Sequence, residues 1–132
     1  MLILNSLVVN LSKMNKQEEI ELIKTYLDLS NRHRIDLILP LFDEDVNYQS
    51  SNVGEFNGKK AVGEMMQDFF SRYPDVSWKM ETFQHTGKHT ISFDFVMTAT
   101  EPESGSIFER AGFEQIELSS EGLIVQVEVK AQ

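Results

Sequence analysis

The sequence predicts a single α+β domain: a curved, mostly antiparallel sheet with three helices from the N-terminal half packed on its concave face, forming a cone with a pocket. Three observations predict it. Before Pro74 the apolar side chains recur at three-and-four spacing, and beyond it the period becomes two. Helices followed by an antiparallel meander fit helices laid on one face of a sheet. A chain of 132 residues, 41% hydrophobic and 25% charged, has an ordinary globular composition. At this size folding buries roughly two-thirds of the unfolded surface, enough for one core.

The elements follow in order. Met1 to Leu11 is apolar but has no basic residues before its apolar run and no small-residue cleavage pattern after it, which makes it a poor signal peptide. It is also too short to span a bilayer, which takes about 20 apolar residues. Residues 1–14 are expected to form an N-terminal extension, with Met14 a candidate initiator, and 15–132 the domain. Asn15 followed by Glu18 resembles a capping box, after which Ile20, Leu22, Ile23, Tyr26, Leu27 and Leu29 give a broad helical face. This first helix should run to about Arg32. Arg32, His33 and Arg34 at its exit are expected to complement the carbonyl end of the dipole. A short helical turn from Asp36 to Phe42 is limited by Pro40, and Asp43, Glu44 and Asp45 should end it in solvent.

Val46, Tyr48 and Ser50 alternate with polar neighbours, predicting a strand that enters a polar loop ending at Gly58. Ala61, Val62, Met65, Met66, Phe69, Phe70 and Tyr73 predict the third helix, stopped by Pro74. Val76, Trp78 and Met80, then Ile91, Phe93, Phe95 and Met97, predict two half-buried strands around a turn at Thr86 to Lys88. Glu101 to Ser106, with Pro102 and Gly105, reads as a loop. Two more strands follow, Ile107 to Ser119 and Leu123 to Lys130, joined by a turn at Ser120 to Gly122. Gly112 inside the longer one predicts a bulge.

Charge narrows the function. Twenty-one acidic against twelve basic residues give a net charge of −9, which repels phosphate backbones and anionic membranes. Neither nucleic acid nor membrane is an expected partner. The absence of cysteine removes disulfides and thiolate chemistry and suits a reducing compartment, so a cytoplasmic location is expected.

The order of elements, with Leu41-Phe42-Asp43-Glu44-Asp45-Val46, the Gly58 to Val62 helix entry, Tyr73-Pro74-Asp75-Val76 and the closing Glu121-Gly122-Leu123-Ile124, resembles the nuclear-transport-factor-2-like superfamily and its SnoaL-like, ketosteroid-isomerase-like members. The resemblance covers about residues 17 to 130. It implies a small-molecule pocket, a homodimer and, in enzymatic members, isomerisation, cyclisation or dehydration without a cofactor. The isomerase uses a carboxylate base, with a tyrosine and a protonated acid holding the developing enolate oxygen. By position, Tyr26 matches the tyrosine and Glu114 the acid, whereas the base position holds Ser50. SnoaL-like cyclases place a histidine and an aspartate in the cavity; this chain has no histidine after His89, and the last strand offers Glu128 in that neighbourhood.

The residues themselves support part of this. Glu114 is in register with Ile116 and Leu118 on the apolar side of its strand and should point inward, where burial raises a carboxyl's pKa and favours the neutral acid. Its alternative role is as a satisfied partner of Arg110 or of a tyrosine hydroxyl. Tyr26 and Tyr48 can carry hydroxyls to the pocket or simply pack in the core. Trp78 and Phe95, with Phe93 and Met80, read as sheet packing and as an apolar wall. His85 and His89 flank a turn and are expected in solvent; no metal or cofactor is expected.

The reading is a pocket for a small, largely apolar molecule bearing an oxygen. Tyr26 and Glu114 would be the hydrogen-bonding, potentially catalytic pair, with Tyr48, Ser50, Trp78, Phe95 and Glu128 contacting the ligand. The alternative is a non-catalytic ligand-binding or accessory domain, dimeric through the outer sheet face that carries Ser92, Val96, Thr98 and Thr100.

Overall fold

Asn15 closes the capping box that starts the first helix: its Oδ1 accepts from the Glu18 N–H at 2.8 Å, and its own N–H donates to Glu18 Oε1 at 3.0 Å. The computed structural model describes residues 14–132, so the expectations for Met1 to Leu11 lie outside the described residues. Helix α1 spans Lys16–Asn31 and buries the stripe Glu19, Ile23, Tyr26, Leu27 and Ser30. A single-turn helix α2, Ile35–Ile38, tightens into a 3-10 turn at Leu39–Leu41 with Pro40 near its start. Strands β1 (Phe42–Ser50) and β2 (Gly54–Asn57) precede helix α3, Lys59–Arg72. The meander β3 (Ser77–Gly87), β4 (Thr90–Thr100), β5 (Ile107–Leu118) and β6 (Ile124–Ala131) completes the chain.

The six strands form one sheet in the order β2-β1-β6-β5-β4-β3. All neighbours are antiparallel except β1 and β6, which run parallel. The fold is therefore α+β, with helices on a curled, mostly antiparallel sheet. The main core joins Ile23, Tyr26 and Leu27 of α1 and Val62, Met65 and Met66 of α3 to Ile91, Phe93, Ile116 and Val127 of the sheet. A second cluster, Val76, Phe95, Met97 and Ala99, lies under Phe69, Phe70, Tyr73 and Trp78.

Three local expectations are corrected first. The polar stretch before Gly58 contains β2, whose Phe56 pairs with Tyr48. Asp43, Glu44 and Asp45 belong to β1 rather than to a helix end, with a register shift between Phe42 and Asn47 where the strand bends. Gly112 makes no bulge: pairing is continuous through Phe95, Gly112 and Ala131. Its lack of a side chain serves close approach instead, since a Cβ there would stand 2.7 Å from both Phe95 Cε2 and the Lys130 carbonyl oxygen. The irregularities of the meander fall elsewhere: in β3 between Glu81 and Gln84, where Thr82 has a φ of 63°, and between His85 and Gly87, and in β5, where it pairs with β6, between Glu117 and Leu118.

The basic exit of α1 also works differently from the dipole argument. Arg32 pairs with Asp28 at 3.2 Å and Arg34 with Asp36 at 2.9 Å, both in solvent. His33 stacks on Phe70 at 4.2 Å between centroids, with its Nε2 2.9 Å from the Val76 carbonyl oxygen. Asn31 grips Trp78 twice: its Nδ2 donates to the Trp78 carbonyl at 2.9 Å, and the Trp78 N–H donates to its Oδ1 at 2.7 Å. The end of α1 thereby fixes the start of β3.

The turn histidines are not in solvent. His85 Nε2 lies 3.0 Å from Glu19 Oε1 and His89 Nδ1 lies 2.7 Å from Glu19 Oε2, so both rings clamp one buried carboxyl of α1 to the β3–β4 hairpin. Ser92 is likewise enclosed, its hydroxyl 2.8 Å from that of Thr86, and offers no outer surface.

Candidate functional site

Strand register assembles the site. Across one row of the sheet Ser50 faces Val129, Val129 faces Glu114, and Glu114 faces Phe93. The next row runs from Tyr48 through Val127 and Ile116 to Ile91. Because alternate residues of a strand share a face, Tyr48, Ser50 and Glu114 all point to the concave side. Helix α1 brings Tyr26 down onto the same surface, and Met65, Met66, Phe69 and Phe70 of α3 roof it.

Between helices and sheet lies a cavity of about 90 Å³, lined by Tyr26, Tyr48, Ser50, Trp78, Phe95 and Glu114 together with the α3 residues, Phe93, Met80 and Met97. Its buried end holds Tyr26, Phe93 and Glu114, at 3%, 1% and 7% exposure. Its open end is formed by the exposed Asn52 and Val53 of the β1–β2 turn and by Arg110. Six of the seven residues singled out in the sequence therefore line one cavity. Glu128 does not: it pairs with Gln49 and Gln115 on the opposite face and borders a shallow outer groove with Gln49, Glu55 and Lys130.

Glu114 is the electrostatic centre. Burial pushes its carboxyl up to about 8, and among the described residues no hydrogen bond or neighbouring cation offsets that cost. It is therefore a neutral acid at pH 7, able to donate as well as accept. The pairing with Arg110 does not occur. Burial also raises the Tyr48 hydroxyl, and the nearby Glu114 carboxyl raises it further. Tyr26 is raised well above the usual phenol by burial first, then by Tyr48 and Glu114, with Ser30 pulling the other way. Three protonated oxygens thus share an apolar cavity. Each can donate a hydrogen bond to a ligand oxygen in a medium where such a bond counts for more than in water.

Of the lining side chains among the described residues, only Tyr26, Tyr48, Glu114 and Arg110 are titratable; Ser50, at the end of β1, is no base. No three His, Cys, Asp or Glu side chains among the described residues are placed to hold a metal ion. No helix among the described residues is long and apolar enough to cross a membrane. Sequence reasoning missed the α3 roof and Arg110 as pocket residues. The signal for the roof was present: Met65, Met66, Phe69 and Phe70 make an apolar face broader than a helix needs to sit on a sheet.

Comparison with known proteins agrees with the fold. Residues 23–127 match the SnoaL-like domain. An NTF2-like protein of unknown function from Exiguobacterium sp. 255-15 is similar with a TM-score of 0.75 at 18% identity, over 84% of this chain and 98% of that one. SalBIII, an epoxide hydrolase/cyclase-like enzyme of pyran ring formation in the polyether salinomycin, gives 0.79 at 15% identity over 89% and 93%. Rv0760c from Mycobacterium tuberculosis, in complex with estradiol-17β-hemisuccinate, gives 0.72 at 17% identity over 83% and 90%. At these identities the structural likeness speaks for the fold alone. No curated protein sequence matches.

Proposed function

Since the chain belongs to the SnoaL-like domain family, we propose that its cavity takes up a small, largely apolar molecule and holds one oxygen of it by hydrogen bonds from Glu114, Tyr26 and Tyr48. The observation that carries this reading is a buried, protonated Glu114 with no side-chain hydrogen-bond partner among the described residues, opening onto an apolar cavity beside two tyrosine hydroxyls. An unpaired acid in such a place costs stability, and a ligand oxygen repays it. That a similar fold holds an estradiol ester in Rv0760c fits an apolar ligand of this kind.

The same three donors suit a negative charge developing on an enolate oxygen, which is the chemistry of cofactor-free isomerisation, cyclisation or dehydration beside a carbonyl. In that role Glu114, Tyr26 and Tyr48 stabilise the oxygen while solvent water takes the proton from the neighbouring carbon. The second reading, ligand binding without catalysis, is favoured by one observation: the lining holds no second carboxylate and no histidine to accept that proton. A homodimer through Val96, Thr98 and Thr100 on the outer face remains part of the proposal; a monomer in sedimentation at micromolar concentration would remove it.

The deciding experiment adds cyclic enones to the protein in deuterated buffer and follows exchange of the α-protons by NMR. Exchange that falls at least tenfold in both Glu114→Leu and Tyr48→Phe supports the enzyme. Saturable binding without exchange supports the binding protein, and the absence of both overturns the pocket reading.

A further inference from the structure

Resting on the pocket reading above, we propose that Arg110 selects ligands carrying a carboxylate, so that the preferred occupant is an amphipathic acid: apolar body inside, oxygen at Glu114, acid group at the mouth. Arg110 is exposed, yet it lines the cavity. Its guanidinium lies over the Phe108 ring, 5.6 Å from the centroid, and it has no ion-pair partner among the described residues. That is unusual company for an arginine in a chain with 21 acidic and 12 basic residues. The Phe108 face holds the charge in place without neutralising it.

The other two residues of the mouth, Asn52 and Val53, are uncharged, so Arg110 carries the full charge at the opening among the described lining residues. The net charge of −9 repels anions at long range, and against that background the guanidinium supplies a local positive charge at the opening that attracts a carboxylate. Its planar fork suits the two carboxylate oxygens.

Strand geometry sets the length. Arg110 and Glu114 are four residues apart on the same strand face, with Gly112 between them, so their backbones stand roughly 13 Å apart. Gly112 and the Phe95 ring across it form an apolar floor between the two polar ends. The ligand is thus polar at both ends and apolar in the middle.

The test uses a fluorescent naphthol bearing a butanoate arm, and its methyl ester, titrated at pH 7 and low ionic strength. Wild type should prefer the acid by about threefold to fivefold, the upper scale of one exposed ion pair. The preference should shrink on adding salt, collapse in Arg110→Gln and partly survive in Arg110→Lys. Equal binding of acid and ester by wild type, or a preference that persists in Arg110→Gln, overturns the assignment. If the ester binds in a way that needs Tyr48 and Glu114 but shows no such preference, only the arginine proposal fails. If neither compound binds, the pocket reading fails with it.

Discussion

Tyr48 and Glu114 share one electrostatic environment: burial raises the carboxyl to about 8, and that carboxyl, together with burial, raises the Tyr48 hydroxyl above the usual phenol range. The two groups reach the same cavity from different strands, Tyr48 from β1 and Glu114 from β5, with β6 between them. Neither is ionised at neutral pH, and each keeps its proton for a ligand.

Ligand affinity should follow the proton on Glu114. A molecule that accepts a hydrogen bond from this carboxyl should bind with constant affinity up to about pH 8 and lose roughly tenfold per unit beyond it. Isothermal titration of 2-naphthol methyl ether between pH 6 and 10 measures this, with Glu114→Gln expected to give a flat profile.

Stability should fall with rising pH for the same reason. The folded carboxyl titrates at about 8 and the unfolded one near 4.5, so the folded state binds the extra proton between these values. Stability is fully present below the unfolded value and is lost through this window, by up to about 1.4 kcal/mol per pH unit. Urea unfolding at pH 5 and pH 8.5 should show the decline in wild type, and Glu114→Gln should remove most of it.

Gly112→Ala should cost about 1–3 kcal/mol, because the added methyl meets the Phe95 ring and the Lys130 carbonyl, a backbone atom that cannot step aside. Displacement of Phe95 should also weaken ligand binding. An unchanged unfolding midpoint would show that the strand accommodates the methyl.

His85→Ala should cost about 1–3 kcal/mol by leaving the buried Glu19 carboxyl with half its partners. Replacing Glu19 and His85 together by leucine should cost less than the sum of the single changes, since the unpaired carboxyl is then gone. Additivity in that cycle would contradict the clamp.

The sequence made legible what periodicity controls. Helix α3 follows from its three-and-four spacing and Pro74, and the inward Glu114 follows from its parity with Ile116 and Leu118. Pairings distant in sequence leave no such trace. The Glu19 clamp joins residues 66 and 70 positions apart, and the parallel contact of β1 with β6 connects the first strand to the last. Strand β2, four residues with one apolar side chain, is too short and polar to signal itself. Glu128 was misplaced although parity spoke against it: Val127 and Val129 face inward, so the residue between them faces out.

The central claim is that Glu114 is a desolvated, protonated acid facing a cavity. A carboxyl-carbon NMR titration, with the signal assigned by its loss in Glu114→Gln, tests it directly. A midpoint of about 8 is expected. A midpoint near the ordinary 4.5 would mean a solvated or paired carboxylate and would contradict the site as described.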